Sequence, residues 1–442
     1  MTRITRSDEL RYANRTRVLS CLRALGHQSR KQLAQSTGLS AATVTQVTAQ
    51  LLAEGIIAES DPTQDEAVGV TPAATSKTAN GVTATNGAAR RGRPQVVLEL
   101  APRAALVATI SVNFDRIEAT LFDYAGVEVA HSASIDQTTP PHHSSLPDQI
   151  GDTLQQVLSN HHIDASQLLY ITVACQGKVS KSGGKLLWSP RSPADVVSVG
   201  DQLQQRFGVS VEVDNDCNMI ASALFSAELP GVASAATPMR RDGRGNFAAV
   251  LISYGIGLGL IHEGEILTGS RSSGTELGHM QISLDGPLCR CGKSGCIEAY
   301  AADYAIWRRV NGTRTNELAE HTIPASEMQQ IFAAAQASDG IERQALREAG
   351  AAIGQGLANL FAIFDSFPTH LVGLDTAAAP YVAAAIHERL LDSSDIHPQD
   401  IVTVHSGQSE LELIRHGAVM QCLNHVDQQV FSIGAPASDI AN

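Results

Sequence analysis

No apolar run in the 442 residues reaches the roughly 20 consecutive positions that a membrane-spanning helix needs. The N-terminus is charged and polar through Arg17, so the apolar stretch of a secretory signal is missing as well. These absences exclude membrane insertion and point to the cytoplasm. Cysteine is scarce: of seven, Cys21, Cys175, Cys217 and Cys422 are scattered, which suits a reducing compartment. There is no short-period repeat. An overall excess of positive charge is also missing, the net charge being −13. Yet residues 1–94 carry twelve Lys or Arg against seven Asp or Glu, while the remainder carries twenty against thirty-eight. A basic head on an acidic body suggests a nucleic-acid contact confined to one end.

What is present begins with that head. Val18, Leu19, Leu22 and Leu25 recur at helical spacing between Arg11 and Leu25, and Gly26 ends the helix. Ser29 to Gln32 reads as a capping box opening a short helix that buries Leu33 and Ala34. After a turn over Thr37–Ser40, Ser40 can cap a third helix from about Ala41 to Glu54 that buries Val44, Val47, Leu51 and Leu52. Two short helices joined by a Gly-containing turn are the layout of a helix-turn-helix, with the second helix in the major groove. Ser40, Ala42, Thr43, Thr45 and Gln46 then face DNA, and Gln46 alone has a clear base preference, for adenine. A three-helix bundle that binds nothing is the competing reading. Gly55–Glu59 and Val96–Leu100 read as the two strands of a wing. Between them, residues 67–89 contain no aromatic, Leu or Ile and cannot bury enough apolar surface to order themselves. In the exit from this insertion, Arg91 and Arg93 either reach into a narrow minor groove or start a charged strand.

The most specific stretch lies between Thr275 and Glu298. His279, Cys289, Cys291 and Cys296 bring one imidazole and three thiols within eighteen residues, and Gly286, Pro287, Gly292 and Gly295 let the loop double back. Four such ligands meet the tetrahedral demand of Zn²⁺ and leave no position for a catalytic water, so the metal is expected to be structural. Disulfides and unpaired thiols are the alternatives, and a Cys-x-Cys pair bridges poorly. Glu276 and Glu298 flank the loop. Elsewhere the body reads as antiparallel strands (Leu106–Asp123, then Val127–Ala133) followed by β/α units, seen twice. Two α/β lobes with a cleft between them follow.

Glu276 to His279, together with the Cys-x-Cys-Gly-x-x-Gly-Cys-x-Glu run from Cys289 to Glu298, resembles the ROK family of repressors, open reading frames and sugar kinases. The resemblance runs from about Leu100 to the C-terminus, and the helix-turn-helix fits the family's regulator branch. It implies an actin-like, ribonuclease-H-like two-lobed α/β body. It assigns zinc to His279, Cys289, Cys291 and Cys296, and sugar hydroxyls to Glu276, His279, Glu298, Asn215 and Asp216. In family kinases an Asp at the position of Asp216 removes the proton from the attacking hydroxyl. The family's first phosphate turn, Asp-x-Gly-Gly-Thr, is here Ser111 to Asp115, without the acid or either glycine, and with Phe114 positioned to crowd a phosphate. Gly255 to Gly259 retains part of the second phosphate loop, behind Tyr254, and a Gly-Gly-Gly turn becomes Gly373-Leu374-Asp375. Phosphoryl transfer depends on such backbone cradles. No catalytic residue is therefore expected.

The chain thus reads as a sugar-responsive transcriptional regulator, a repressor of carbohydrate uptake or catabolism genes released from operator DNA by a sugar. Its expected domains are 1–66 (winged helix-turn-helix), 67–94 (wing insertion), 95–214 (first lobe) and 215–442 (second lobe with the zinc loop), the C-terminal helix being able to return to the first lobe. The resemblance implies a homodimer or homotetramer. Alternatives are an active ATP-dependent sugar kinase with a DNA-binding head, a regulator that answers a protein partner, and an activator, which the residues do not distinguish from a repressor.

Overall fold

The computed structural model describes residues 6–60, 96–135, 145–189, 192, 196–228, 245–269, 275–312, 323–392, 402–407 and 409–431. The insertion expected at 67–94, including Arg91 and Arg93, lies outside the described residues. The chain forms two compact units, one comprising the described residues up to Ala105 with those from Val426 onward, the other Leu106–His425.

In the first unit, α1 (Arg6–Leu25), α2 (Arg30–Thr37) and α3 (Ala41–Ala53) pack around Val18, Leu19, Leu22, Leu33, Val44, Val47 and Leu51. The capping box is present: Ser29 Oγ accepts from the Gln32 amide at 3.3 Å, and Gln32 Oε1 accepts from the Ser29 amide at 2.9 Å. Gly38, at φ 69°, ends α2 in the left-handed conformation. Leu52, expected inside, is half-buried, and Thr48 takes the buried position, because the inward stripe of α3 runs 44, 47, 48, 51. The strands are β1 (Gln28–Ser29), β2 (Ile57–Ser60) and β3 (Val97–Leu100), in the order β1-β3-β2. Since β3 pairs with β2 from Ile57↔Leu100 to Ser60↔Val97, the head extends to Ala105. The expected boundary at 95 therefore moves past this strand.

The head also takes in the π turn Val426–Val430. Arg23 Nη2 donates to both Asp427 carboxylate oxygens at 3.0–3.1 Å, and both side chains are almost fully buried. Arg15 is bound by Glu54 and donates to the Phe431 carbonyl at 2.7 Å. Two buried guanidinium groups thus anchor the C-terminal segment to α1.

The second unit holds two five-stranded sheets. The first is built from β4 (Leu106–Val112), β5 (Arg116–Asp123), β6 (Glu128–Ile135), β7 (Leu168–Cys175) and β10 (Val211–Asn215), in the order β10-β7-β4-β5-β6. A small hairpin, β8 (Lys178–Ser180) and β9 (Lys185–Trp188), follows β7, and α4 (Leu146–Asn160) and α5 (Val199–Phe207) complete this half. The second sheet has the order β13-β12-β11-β14-β15, from β11 (Phe247–Ile252), β12 (Ile256–His262), β13 (Glu265–Ile266), β14 (Thr369–Val372) and β15 (Val402–His405). On its outer side lie α7 (Glu298–Ala301), α8 (Asp303–Asn311), α9 (Ala325–Ala337), α10 (Ile341–Phe364) and α11 (Ala379–Leu391).

Both faces of β11 are buried, with alternate residues serving two cores. Ala248, Val250 and Ile252 join the α10–α11 side; Phe247, Ala249 and Leu251 join α6 (Asp216–Glu228) and α12 (Glu410–His425). Helix α12 packs on α6 and also on β4 and β7, returning the chain to the first sheet. Helix α6 meets β12 at two glycines. A Cβ on Gly257 would lie 2.2 Å from Cys217 Sγ, and one on Gly259 would lie 2.1 Å from the Cys217 carbonyl oxygen. These two glycines of the expected second phosphate loop therefore lie within a strand, where they admit the first turn of α6.

Candidate functional site: a polar cavity beside a His-Cys₃ cluster

The strands β4, β7 and β10 end together, because β7 runs parallel to both neighbours with Val112 and Asn215 in register with Cys175. Open α/β sheets bind ligands beyond such strand ends. Here Asn215 and Asp216 face a cavity of about 180 Å³ that also takes in Glu276, His279 and Glu298. All five residues expected to touch a sugar thus line one space.

Each is positioned by local structure. Asn215 Nδ2 donates to the Gly177 carbonyl at 2.7 Å, and its Oδ1 accepts from the Cys217 amide at 2.8 Å. Asp216 opens α6, where its Oδ1 also accepts from the Cys217 amide, at 2.9 Å. Burial raises its carboxyl to about 7 against these hydrogen bonds, with the charge of Glu410 adding to the rise. Burial raises the Glu276 carboxyl as well. Asp214 is not among the residues lining this cavity and organises the strand end. It accepts from the Asn215 amide and Asn218 Nδ2, both at 2.7 Å, from Lys181 Nζ at 3.0 Å and from Gln421 Nε2 at 3.3 Å.

Glu276 and His279 are held by the one-turn 3₁₀ helix Leu277–His279. The loop beyond doubles back through the pairings Gln281↔Cys296 and Leu288↔Ser294. Gly295 sits at φ 70°, and a Cβ there would lie 1.7 Å from the Ser283 carbonyl oxygen, so this crossing admits only glycine. The fold brings His279, Cys289, Cys291 and Cys296 together with their ligand atoms all within 4.8 Å of one another. His279 Nδ1 is 3.6 Å from Cys289 Sγ, and the Cys291 and Cys296 sulfurs are 3.7 Å apart. Donors at 2.0–2.3 Å from a tetrahedral ion stand about 3.5–3.8 Å apart, so the set fits a metal ion. The other ring nitrogen of His279, Nε2, is 3.9 Å from Glu276 Oε2, on the cavity side. Were His279 to hold a metal through Nδ1, its Nε2 would carry the proton and could donate toward Glu276. Glu298, buried at the start of α7, lies 3.7 Å from Cys289 Sγ.

Three further lining residues escaped the sequence. Trp188, at the end of β9, stands edge-on to His279 at 6.4 Å between ring centroids. Lys178 adds a cation. Arg290 donates to the Tyr254 carbonyl at 3.0 Å and stacks over Tyr304 at 4.3 Å. The Cys-Arg-Cys spacing was the one signal available for Arg290; the hairpin that carries Lys178 and Trp188 has no motif.

Asp115, Arg116 and Glu410 bring both signs of charge to the part of the cavity beside the turn after β4. The Asn113 amide donates to the Arg116 carbonyl at 3.0 Å, and the Phe114 amide donates to Gln176 Oε1 at 3.1 Å. Asn113, Asp115 and Arg116 of this turn line the cavity, and Phe114, expected to crowd a phosphate, does not. Asp303 lies close to Glu410. Burial raises both carboxyls, Asp303 to about 6.

In the head, Ser40 caps α3, accepting from the Thr43 amide at 3.1 Å. Ala42, Thr45 and Gln46 are exposed on the same helix, Thr43 is half-buried, and the Thr45 hydroxyl donates to the Ala41 carbonyl at 2.8 Å.

A two-sheet body with a polar cleft, joined to a winged helix-turn-helix, defines a sugar-kinase-like fold fused to a DNA-binding head. The ROK family model matches residues 107–410 and the MarR family model matches 12–66. The chain belongs to the ROK family and carries a MarR-type head. It is similar to the DNA-binding transcriptional dual regulator NagC of Escherichia coli, at 26% identity over 86% of this chain and 84% of the relative. It is similar to the xylose repressor of Bacillus spizizenii, at 25% identity over 84% of each. Among solved structures, a ROK family transcriptional regulator described as a homologue of the E. coli MLC protein superposes with a TM-score of 0.69 at 19% identity, over 96% of this chain and 99% of that one. Both of the relatives compared by sequence are described as transcriptional regulators. Among the described residues no helix is long and apolar enough to cross a membrane.

Proposed function

We propose that the chain is a sugar-responsive transcriptional regulator that represses genes of carbohydrate uptake or catabolism and leaves its operator when a sugar fills the cavity. The observation that carries this reading is the convergence of Asn215, Asp216, Glu276, His279 and Glu298 on one cavity in a chain that also presents a helix-turn-helix. A sugar ring both donates and accepts at each hydroxyl, and an amide, an imidazole and carboxylates match it. The head meets DNA through Ser40, Ala42, Thr43, Thr45 and Gln46, with Arg91 and Arg93 of the wing insertion. Two heads of a homodimer or homotetramer would read paired half-sites.

His279, Cys289, Cys291 and Cys296 are proposed to hold zinc. Bound there, the ion supplies a structural crosslink that keeps Glu276 and Glu298 at the cavity wall.

The cavity is not proposed to turn over ATP. Phosphates need free backbone N–H groups, and Gln176 occupies the Phe114 amide while Asp115 and Glu410 add negative charge to the cavity lining. The active-kinase alternative has one observation in its favour, namely that the buried Asp216, raised to about 7, is poised as a general base. Selection of operator DNA with the purified full-length protein, followed by a sugar panel for release, tests the main reading. ADP formation from ATP, Mg²⁺ and the same panel tests the alternative. Sugar-dependent operator release without ADP is expected; steady ADP formation would overturn the reading.

A further inference from the structure

Resting on the zinc and sugar readings above, we infer that Cys291 is an oxidation site: a hydroperoxide joins it to Cys296 as a disulfide, which breaks up the metal site and costs the cavity its sugar affinity. Of the seven cysteines, Cys291 alone is exposed. Cys21 is half-buried and the other five are buried. A cysteine reacts with peroxide according to its access and its thiolate character, and a zinc ligand is held as the thiolate.

Cys296 Sγ lies 3.7 Å from Cys291 Sγ, and a disulfide brings two sulfurs to about 2 Å. Cys296 is held in place: it is buried, it bridges to Gln281, and its carbonyl accepts from the Ala299 amide at 3.0 Å. Cys291 has room to move. It sits in the turn closed by the Gly292 amide on the Cys289 carbonyl at 2.9 Å. A Cβ on Gly292 would meet nothing within 4 Å among the described residues. Cys289 is the poorer partner. It is buried, with His279 Nδ1 at 3.6 Å and Glu298 Oε1 at 3.7 Å, and a single residue separates it from Cys291.

A hydroperoxide balances the step. The Cys291 thiolate attacks a peroxide oxygen: an S–O bond forms, the O–O bond breaks, and hydroxide leaves. The Cys296 thiolate then attacks the sulfenic sulfur, an S–S bond forms, and a second hydroxide leaves. The two thiolates give two electrons to the peroxide, and two protons from solvent turn the hydroxides into water. His279 and Cys289 alone remain to hold the ion, two ligands of the four it demands. The turn that carries Glu276 and His279 is then no longer tied to the loop that carries Arg290 and Glu298.

The test treats full-length, zinc-loaded protein with graded hydrogen peroxide. A chromogenic chelator follows metal release, mass spectrometry follows the cross-link, and calorimetry with D-glucose, D-mannose and D-galactose follows sugar binding. Trypsin cuts after Arg290 and Lys293, so a Cys291–Cys296 disulfide appears as two joined peptides. Metal release is expected in step with that link, with sugar binding weakened at least about tenfold and both restored by dithiothreitol and zinc. Cys291→His keeps four ligands but has no thiol at this position, so peroxide should alter neither its metal content nor whatever sugar affinity it has. Zinc retained by the wild type at peroxide levels that oxidise Cys21, a first disulfide elsewhere, or equal metal loss from Cys291→His overturns the oxidation site. If Cys291→His does not fold, the peptide map of the wild type decides. Unchanged sugar affinity after metal release overturns the link to the cavity. A chain that takes up no zinc overturns the zinc reading and this one with it. A reduced, zinc-loaded chain that binds no sugar overturns the sugar reading, while metal release and the peptide map still judge the oxidation site.

Discussion

Asp216 sets ligand binding against stability. Its carboxyl titrates at about 7 in the fold and near 4 in an unfolded chain. The folded state therefore binds the extra proton between these values. The stabilisation is complete below about pH 4 and is lost as pH rises through about 7. Asp216→Asn removes this cost, so at pH 8 the ligand-free variant should be more stable than wild type by about 1–3 kcal/mol, with the difference vanishing at pH 4. Urea melts across that range measure it. The same change removes an acceptor from the cavity wall and should weaken sugar binding at least about tenfold. A variant destabilised at pH 8 would show that the carboxylate is held by donors and not strained by burial. In the head, Arg23 and Asp427 form the opposite case, a buried ion pair at 3.0 Å. Asp427→Asn removes a carboxylate charge from beside a buried guanidinium and should cost the head about 3 kcal/mol or more, read from its thermal unfolding.

At the scale of the element, the proposed ion would make the loop from Glu276 to Glu298 a crosslinked wall. Cys291→Ser should lower the zinc content measured by atomic absorption, lower the Tm and weaken sugar binding together, because the proposed ion would fix the loop that carries Glu276, His279, Arg290 and Glu298 of the cavity lining. Full sugar affinity in a metal-free variant would separate loop from cavity. Gly278→Ala tests the same wall without touching a ligand. Its Cβ would lie 2.2 Å from the Ile256 carbonyl oxygen, so the 3₁₀ turn must lift from β12, carrying Glu276 and His279 away from Asn215 and Asp216.

This wall was legible in the sequence because its chemistry is local: four metal-binding side chains within eighteen residues leave few arrangements open. The helix caps at Ser29 and Ser40 were legible for the same reason, since cap and capped amide lie three residues apart. What was hidden depends on distant partners. β1 is two residues long and exists through its pairing with Val97 and Leu98. Gly257 and Gly259 looked like a phosphate loop until Cys217 was placed against them. The Phe114 amide is capped by Gln176, 62 residues away, and Trp188 faces His279 across 91 positions of sequence. No periodicity or motif encodes such meetings.

For the whole molecule, the sugar reading makes one claim that neither unit can satisfy alone. If sugar lowers operator affinity by some factor, operator must lower sugar affinity by that same factor, since both are legs of one thermodynamic cycle. Couplings of this kind run to about 1–3 kcal/mol, or 5- to 150-fold. The chain offers a covalent route: α12 begins with Glu410 at the cavity and ends at His425, and the next residues enter the head, where Arg23 and Arg15 bind Asp427 and Phe431. Sugar affinity should therefore be measured by calorimetry with and without saturating operator, and operator affinity with and without saturating sugar. The two ratios are expected to agree within error in the wild type. Asp427→Asn, which loosens the anchor of that segment while leaving cavity and recognition helix untouched, should shrink both ratios together. If sugar bound equally well with and without operator, cavity and head would be independent, and the signal that releases DNA would have to enter elsewhere.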